Sequence, residues 1–230
     1  MEGEKIAKTT FSTVRATFGG LAAYTALRSL NTDDNKKQLT TAIACLILLI
    51  AFFHYSKMMT LYEQKNYDEL ILIRYSDWII TVPLLIFELF LLMEWIEVGE
   101  DGKLDFKYLW EFWVCIIFAL IMLFSGYVGE TMDSSKTGLK IFLFAVACIS
   151  LIIIGCIVVW LYNKDNKEGG KWIIGFFLIW VAYAYGYGKQ LLSKDPRYNS
   201  LKDNSVNIVY NISDLFSKGI FAFVATTIAD

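Results

Sequence analysis

The sequence predicts an all-α membrane protein built as a bundle of seven transmembrane helices. Of its 230 residues, 56% are hydrophobic and only 19% are charged, whereas soluble domains are typically about 45–50% apolar and about 25% charged. Four stretches of 17 to 23 residues carry no charged side chain, and each is close to the length of one bilayer crossing. They cover residues 38–56, 112–129, 141–163 and 172–188.

The remaining three helices come from apolar segments that are short or carry charges, around residues 16–27, 70–95 and 204–229. The links between all these segments are short and polar, so a single domain over residues 1–230 is expected. A soluble helical protein is disfavoured, since charge-free spans of this length leave no solvated face. The predicted helices A to G cover approximately residues 9–30, 38–60, 70–97, 108–130, 138–163, 170–193 and 204–229.

Composition also excludes several classes of partner. The formal net charge of −2 does not provide the basic surface that nucleic acids require. The four cysteines all lie in apolar runs, which is typical of small buried hydrophobic residues rather than of a disulfide framework. One histidine and these cysteines show no metal-ligand spacing, so no metal site is expected.

A few ionisable residues fall inside the predicted spans, where each costs at least about 2.5–3.5 kcal/mol to insert. On helix C, Arg74 lies one turn from Asp77, and Glu88 follows 11 residues later on the same face, about 16 Å along the axis. On helix G, Asp214 and Lys218 are four residues apart and share a face. Two positive and two negative groups can compensate one another as a structural ion-pair network. The second carboxylate, Glu88, points instead to a path for protons.

The segments that carry these residues resemble microbial rhodopsins, most closely the proteorhodopsin type. RYSDWIITVPLL at residues 74–85, followed by Phe87-Glu88, resembles the third helix of that family. YNISDLFSK at residues 210–218 resembles its seventh helix, AFFHY at 51–55 its second and GYVGE at 126–130 its fourth. The resemblance runs from about residue 38 to residue 225, and the orientation expected with it has the N-terminus outside the cell and the C-terminus in the cytoplasm. The Lys and Arg residues, 11 in the outer segments and 8 in the inner ones, give this orientation no support and by themselves lean weakly the other way.

The resemblance implies a cofactor, all-trans retinal, held by Lys218 through a Schiff base. Asp77 would be the counterion and the proton acceptor, and Asp214 the second counterion. Glu88 would return a proton from the cytoplasmic side, because its apolar surroundings favour the proton-carrying form of a carboxyl group. Thr81, one turn from Asp77, would form a hydrogen bond nearby.

Further family positions would complete the site. Taken alone, His54 in an apolar helix is most often structural, but the resemblance implies that it bonds to Asp77. Aromatic residues in a membrane bundle are often simple core packing, but here Trp78, Trp180 and Tyr183 match the positions that wall the retinal. Leu85 stands at the colour-setting position and implies green absorption, and Tyr210, four residues before Asp214, would share its hydrogen-bonded network.

The sequence also departs from the family pattern. Ala184 stands where a proline is usual in helix F, which puts the opening motion of that helix in doubt. Val206 stands where archaeal pumps carry an acidic release group, and the centre of helix E has no tryptophan. Lys57, one turn from His54, lies outside the pattern and either reaches the interface or modulates proton release.

The function implied is that of a light-driven outward proton pump, a multi-pass transporter in the lipid bilayer rather than an enzyme. Chloride pumps lack the carboxylate at the Asp77 position, and sodium pumps carry Asn-Asp-Gln at the positions of Asp77, Thr81 and Glu88. A light-gated channel is disfavoured because helix B contains no glutamate, and a sensory photoreceptor because Glu88 is present. A transporter without retinal is a further alternative. The family implies a homo-oligomer, from trimer to hexamer, in the plasma membrane or a host cell membrane.

Overall fold

The computed structural model describes residues 2–132, 136–165, 171–192 and 202–228, and almost all of them are helical. Helices A to E are α1 to α5; helix F consists of α6 and α7; helix G consists of α8, a π-helical segment and α9. The bounds are α1 Glu2–Leu30, α2 Asn35–Glu63, α3 Tyr67–Leu92, α4 Leu109–Thr131, α5 Thr137–Lys164, α6 Lys171–Val181, α7 Ala184–Leu192, α8 Asn204–Asp214, the π segment Leu215–Ile220 and α9 Phe221–Ile228.

The helices form a closed ring in which each packs against its neighbour in sequence and helix G returns to helix A. The two ends of the bundle are identified by contacts between helix ends. On the side of the N-terminus, called the N-terminal side below, the Tyr62 hydroxyl at the end of helix B donates to Asn204 Oδ1 at the start of helix G (2.5 Å). On the opposite side, Arg28 at the end of helix A donates to the carbonyl of Thr226 in helix G (3.5 Å).

Three helices begin at a residue whose side chain accepts a hydrogen bond from the first turn. Asp34 caps helix B, Asn66 caps helix C and Asp203 caps helix G. Such caps satisfy backbone N–H groups that have no partner within the helix. Within the part of the chain that the structure describes, five spans are long and apolar enough to cross a membrane: Asn35–Glu63, Tyr67–Leu92, Leu109–Thr131, Thr137–Lys164 and Asn204–Thr227.

The predicted end of helix C near residue 97 is wrong. Helix C ends at Leu92, and Glu94 takes a left-handed conformation (φ 55°) that turns the chain away from the helix axis. A two-stranded antiparallel hairpin follows, in which β1 (Ile96–Val98) pairs with β2 (Leu104–Phe106). Trp95 and Ile96, at the start of this hairpin, are apolar and fully buried. In the sequence they continue the hydrophobic run of helix C, which is why the helix was predicted to end too late. Helix A is longer than predicted, because it begins at Glu2 rather than near residue 9.

Helix F is not the single helix predicted over residues 170–193. It is interrupted at residues 182–183, where the backbone N–H groups of Ala182 and Tyr183 bond to carbonyls three residues earlier rather than four. The interruption lies immediately before Ala184, the position where the family usually has proline. The break in this helix therefore does not depend on a proline side chain.

Helix G is also irregular, because residues Leu215–Ile220 form a π-helical turn. Such turns are rare and occur frequently at functional sites. This one contains Lys218, the residue expected to carry the cofactor.

Candidate functional site

The centre of the bundle holds Lys218 between two carboxylates. Lys218 is 1% exposed, and its Nζ forms an ion pair with Asp77 Oδ2 and lies 3.3 Å from Asp214 Oδ1. Asp77 comes from helix C and the other two residues from helix G, so the cluster joins facing helices. The structure thus brings together the three residues on which the sequence-based site depends.

Asp214 is surrounded by hydrogen-bond donors from three other helices. Its carboxylate accepts bonds from Tyr55 of helix B (2.7 Å), Trp78 Nε1 of helix C (3.1 Å) and Tyr183 of helix F (2.6 Å). Bonds to an ionised acceptor contribute about 1.5–3 kcal/mol each. Asp214 is therefore stabilised as an anion independently of Lys218.

Asp77 has a much poorer set of partners. Its Oδ1 lies 3.4 Å from His54 Nδ1 but makes no hydrogen bond among the described residues. The hydroxyl of Thr81 donates to the backbone carbonyl of Asp77 (2.9 Å), not to its carboxylate. His54 Nδ1 also lies 2.9 Å from the carbonyl of Ile50. The negative charge of Asp77 is thus balanced chiefly by Lys218.

A cavity opens beside Lys218 and is lined largely by apolar side chains. Trp78, Leu85, Trp180 and Tyr183 line it as the resemblance implies. Helix E, for which the sequence suggested no lining residue, contributes Phe144, Ala147, Cys148 and Leu151.

The cavity suits an apolar aldehyde such as retinal. Binding pockets typically have apolar walls with a few polar groups. Here Lys218 and Asp214 are the charged residues among those that line the cavity. Gly126 also lines the cavity, and a Cβ atom there would come within 2.8 Å of the Tyr75 hydroxyl, so the wall depends on this glycine.

Glu88 lies on helix C, away from this cluster and towards the side opposite the N-terminus. It is fully buried, and neither of its carboxyl oxygens has a hydrogen-bond partner among the described residues. Ionising a carboxyl group in such surroundings is costly. The geometry therefore suits a group that stores a proton.

Arg74 does not join the ion pairs around Lys218. Its guanidinium donates to the amide oxygens of Asn207 (3.4 Å) and Asn211 (3.3 Å), both on helix G. The guanidinium carbon also lies 5.6 Å from the ring of Phe11 and 5.2 Å from the ring of Tyr210. Arg74 thus occupies the N-terminal side of the site.

Tyr210 has a different partner from the one expected. Its ring packs against Trp78 at 5.5 Å, but its hydroxyl donates to Glu130 Oε1 (2.9 Å) rather than to Asp214. Lys57 forms an exposed ion pair with Glu69 (3.2 Å), as expected of a residue at the interface.

Sequence reasoning missed two site residues. Tyr55 lies next to His54 in the quoted motif, but nothing in the pattern indicated that its hydroxyl would reach Asp214. Glu130 ends a charge-free run and therefore looks like an interfacial residue. The sequence gives one indication that Glu130 is buried. Gly126 and Gly129 place small residues beside it on helix D, where another helix can pack closely.

Comparisons with known proteins identify the family and support the fold. Residues 7–230 match the family described as bacteriorhodopsin-like protein. The green-light absorbing proteorhodopsin of Gamma-proteobacterium EBAC31A08 is 28% identical over 214 residues, which cover 84% of this chain and 75% of that protein. The solved structure of xanthorhodopsin, described as a light-driven ion pump with dual chromophore, matches with a TM-score of 0.77 and 19% identity over 99% of this chain and 93% of that one. A blue light-absorbing proteorhodopsin from Med12 matches with a TM-score of 0.70 and 24% identity over 96% and 94%.

Proposed function

The chain belongs to the bacteriorhodopsin-like family, and from this premise we propose that it is a light-driven outward proton pump. It is a multi-pass membrane protein of the microbial rhodopsin fold, a family of retinal-binding proteins. The observation that most supports pumping is the buried Lys218 amine, which faces an apolar cavity and is paired with two carboxylates of unequal environment.

Lys218 would hold all-trans retinal through a Schiff base. A buried primary amine beside an apolar cavity is suited to condense with an aldehyde. When bound, retinal supplies light absorption and an isomerisation that changes the environment of the Lys218 nitrogen. Asp77 and Asp214 then balance the positive charge on that nitrogen.

The two carboxylates would have different roles, Asp214 as a permanent counterion and Asp77 as the proton acceptor. Asp214 keeps its charge because three donors stabilise it. Asp77 accepts the proton from the Lys218 nitrogen, because it is in direct contact with that nitrogen and one of its oxygens has no hydrogen bond among the described residues. His54 at 3.4 Å stabilises Asp77 while it is charged.

Glu88 would then return a proton to the Lys218 nitrogen. On helix C, Glu88 and Arg74 lie on opposite sides of the cluster. A proton released on the side of Arg74 would therefore be replaced by one that arrives from the side of Glu88. With the N-terminus outside, Glu88 faces the cytoplasm and the net movement is outward. Such a protein is a transporter and not an enzyme.

The test is illumination of unbuffered cells that express the protein with added retinal. A pump acidifies the medium, and a protonophore abolishes the signal. The Lys218→Ala variant should be colourless and silent, whereas Lys103→Ala, which removes an exposed lysine from the hairpin turn, should behave like the unmodified protein. A passive photocurrent with a reversal potential would identify a light-gated channel instead. Colour with neither current nor pH change would identify a sensory photoreceptor.

A further inference from the structure

Glu130 is a buried carboxyl group that the proposed pumping steps do not use. It lies at the end of helix D and is only 4% exposed. Its Oε1 accepts the hydroxyl proton of Tyr210 (2.9 Å), and its backbone carbonyl accepts a bond from Gln190 Nε2 (2.8 Å). A carboxyl group buried in this way is costly, so it calls for a function.

The position of Glu130 along the bundle is opposite to that of Glu88. Helix D ends on the N-terminal side, and helix C approaches the other side as it passes Glu88. Asp77 and Lys218 lie between the two glutamates. The site therefore has one buried carboxyl group on each side of the central ion pair.

Tyr210 and Arg74 connect Glu130 to the centre. Arg74 is one helical turn from Asp77, and its guanidinium carbon lies 5.2 Å from the Tyr210 ring, whose hydroxyl reaches Glu130. Arg74 also interacts electrostatically with the Glu130 carboxyl. Its Nε and Nη1 atoms make no hydrogen bond among the described residues, so two of its nitrogens are available to a new acceptor.

The contact between Tyr210 and Glu130 depends on a glycine of helix F. A Cβ atom at Gly186 would overlap the Tyr210 hydroxyl, and it would lie 2.8 Å from a methyl carbon of Val206. Only glycine gives the hydroxyl the space to lie between helices F and D. The arrangement is therefore built into the packing.

We propose that Glu130 is the group that releases the proton on the N-terminal side, a role that rests on the proposed pump function. When the Lys218 nitrogen gives its proton to Asp77, the negative charge one helical turn from Arg74 disappears. The guanidinium then stabilises the Glu130 carboxylate, whose O–H bond breaks, and the proton passes to water on the N-terminal side. Later Asp77 gives up its proton, and Glu130 regains one, so one proton leaves in each cycle.

Every helix packed around Glu130 contributes a group that bears on this equilibrium. The charged and titratable groups are Arg74 and Tyr75 from helix C, Lys140 from helix E, Tyr187 from helix F and Tyr210 from helix G.

The first test measures when the proton appears in solution after a flash, with a pH-sensitive dye and purified protein. The unmodified protein should release a proton before it takes one up. Glu130→Gln should lose this early release, and Tyr210→Phe should delay it. Glu111→Gln, at the other end of helix D, should release with the timing of the unmodified protein. Early release that persists unchanged in Glu130→Gln would overturn the role.

A second test does not require retinal. In the retinal-free protein labelled with ¹³C at the glutamate carboxyl carbons, the resonance that is lost in Glu130→Gln belongs to Glu130. This resonance should move with pH between protonated and ionised positions, and Tyr210→Phe should shift its midpoint. A resonance that stays at the ionised position at every pH would refute proton storage by Glu130. If the unmodified protein produces no light-induced pH change while this resonance titrates, the pump function fails and proton binding by Glu130 stands.

Discussion

Removing the central lysine should affect the two carboxylates beside it unequally. Lys218→Met takes away the amine and leaves Asp77 and Asp214 buried without their shared cation. Breaking a buried ion pair by removing one partner typically costs about 3–5 kcal/mol, because the remaining charge is uncompensated. We therefore expect the free energy of unfolding of the opsin to fall by about that amount.

The structure indicates which carboxylate causes this loss. Asp214 retains three donors, each contributing about 1.5–3 kcal/mol to an ionised acceptor. Of the residues that the structure describes, only His54, at 3.4 Å, remains as a partner of the Asp77 carboxylate. In the Lys218→Met background, Asp77→Asn should therefore recover more than half of the loss, since it removes the uncompensated charge.

Asp214→Asn in the same background should recover little. It replaces three charge-assisted hydrogen bonds by neutral ones, which are roughly half as strong. It also leaves the charge of Asp77 without a cation.

The assay is reversible unfolding of the retinal-free proteins in mixed micelles at pH 8, followed by circular dichroism. All variants are compared without retinal, because Lys218→Met cannot bind it and the loss of the chromophore would itself change stability. Glu111→Gln serves as the control and should leave the unfolding free energy unchanged within about 0.5 kcal/mol, as is usual for substitutions away from buried networks. If Asp214→Asn restores as much stability as Asp77→Asn, the assignment of unequal roles to the two carboxylates is wrong.

Three further outcomes are expected. Glu88→Gln should slow the return of the proton after a flash by about 10²–10⁴-fold and leave the colour unchanged; an unaltered photocycle decay would contradict the donor role. Tyr183→Phe, which removes a 2.6 Å bond to the buried Asp214 carboxylate, should lower the free energy of unfolding by about 1.5–3 kcal/mol in the micelle assay, and no change would refute this bond. At the surface, partial burial raises the pKa of Asp203, but bonds from Lys189 and Ser205 outweigh this and lower it to about 2. Because the folded pKa lies below the ordinary value of about 3.9, this stabilisation is present above pH 4 and is lost towards pH 2. Between pH 4 and pH 2, the thermal midpoint of Asp203→Asn should fall less than that of the unmodified protein. Equal falls in the two proteins would argue against stabilisation by ionised Asp203.

The helical periodicity allowed the central part of the site to be predicted. Asp214 and Lys218 are four residues apart and do lie together, even though the intervening turn is π-helical. The number of bilayer-length apolar runs likewise predicts the bundle. Both inferences use distances along one chain segment, which a sequence contains directly.

Contacts between helices could not be predicted in the same way. Tyr210 sits one turn from Asp214, so its sequence position favoured a shared network. Its hydroxyl instead points to helix D, because Gly186 of helix F leaves room there. The packing of three helices decides this direction. The hairpin after helix C escaped prediction for a related reason, since Trp95 and Ile96 are buried by tertiary contacts that a hydrophobic run does not distinguish from a helix.

The two halves of the bundle differ in polarity, and this difference bears on the proposed direction of proton movement. On the N-terminal side, Arg74 is linked to Asn207 and Asn211, and Asn211 continues to Thr10 through a 2.9 Å hydrogen bond. This polar chain can stabilise a charge that moves outward from the centre. On the other side, Glu88 has no hydrogen bond among the described residues, so in the proposed pump it would hold a proton until a charge at the centre draws it inward. A buried carboxyl gives up its proton only when a new charge compensates its own. In the proposed pump, the apolar half would therefore act as the barrier to return, and proton release would proceed through the polar half.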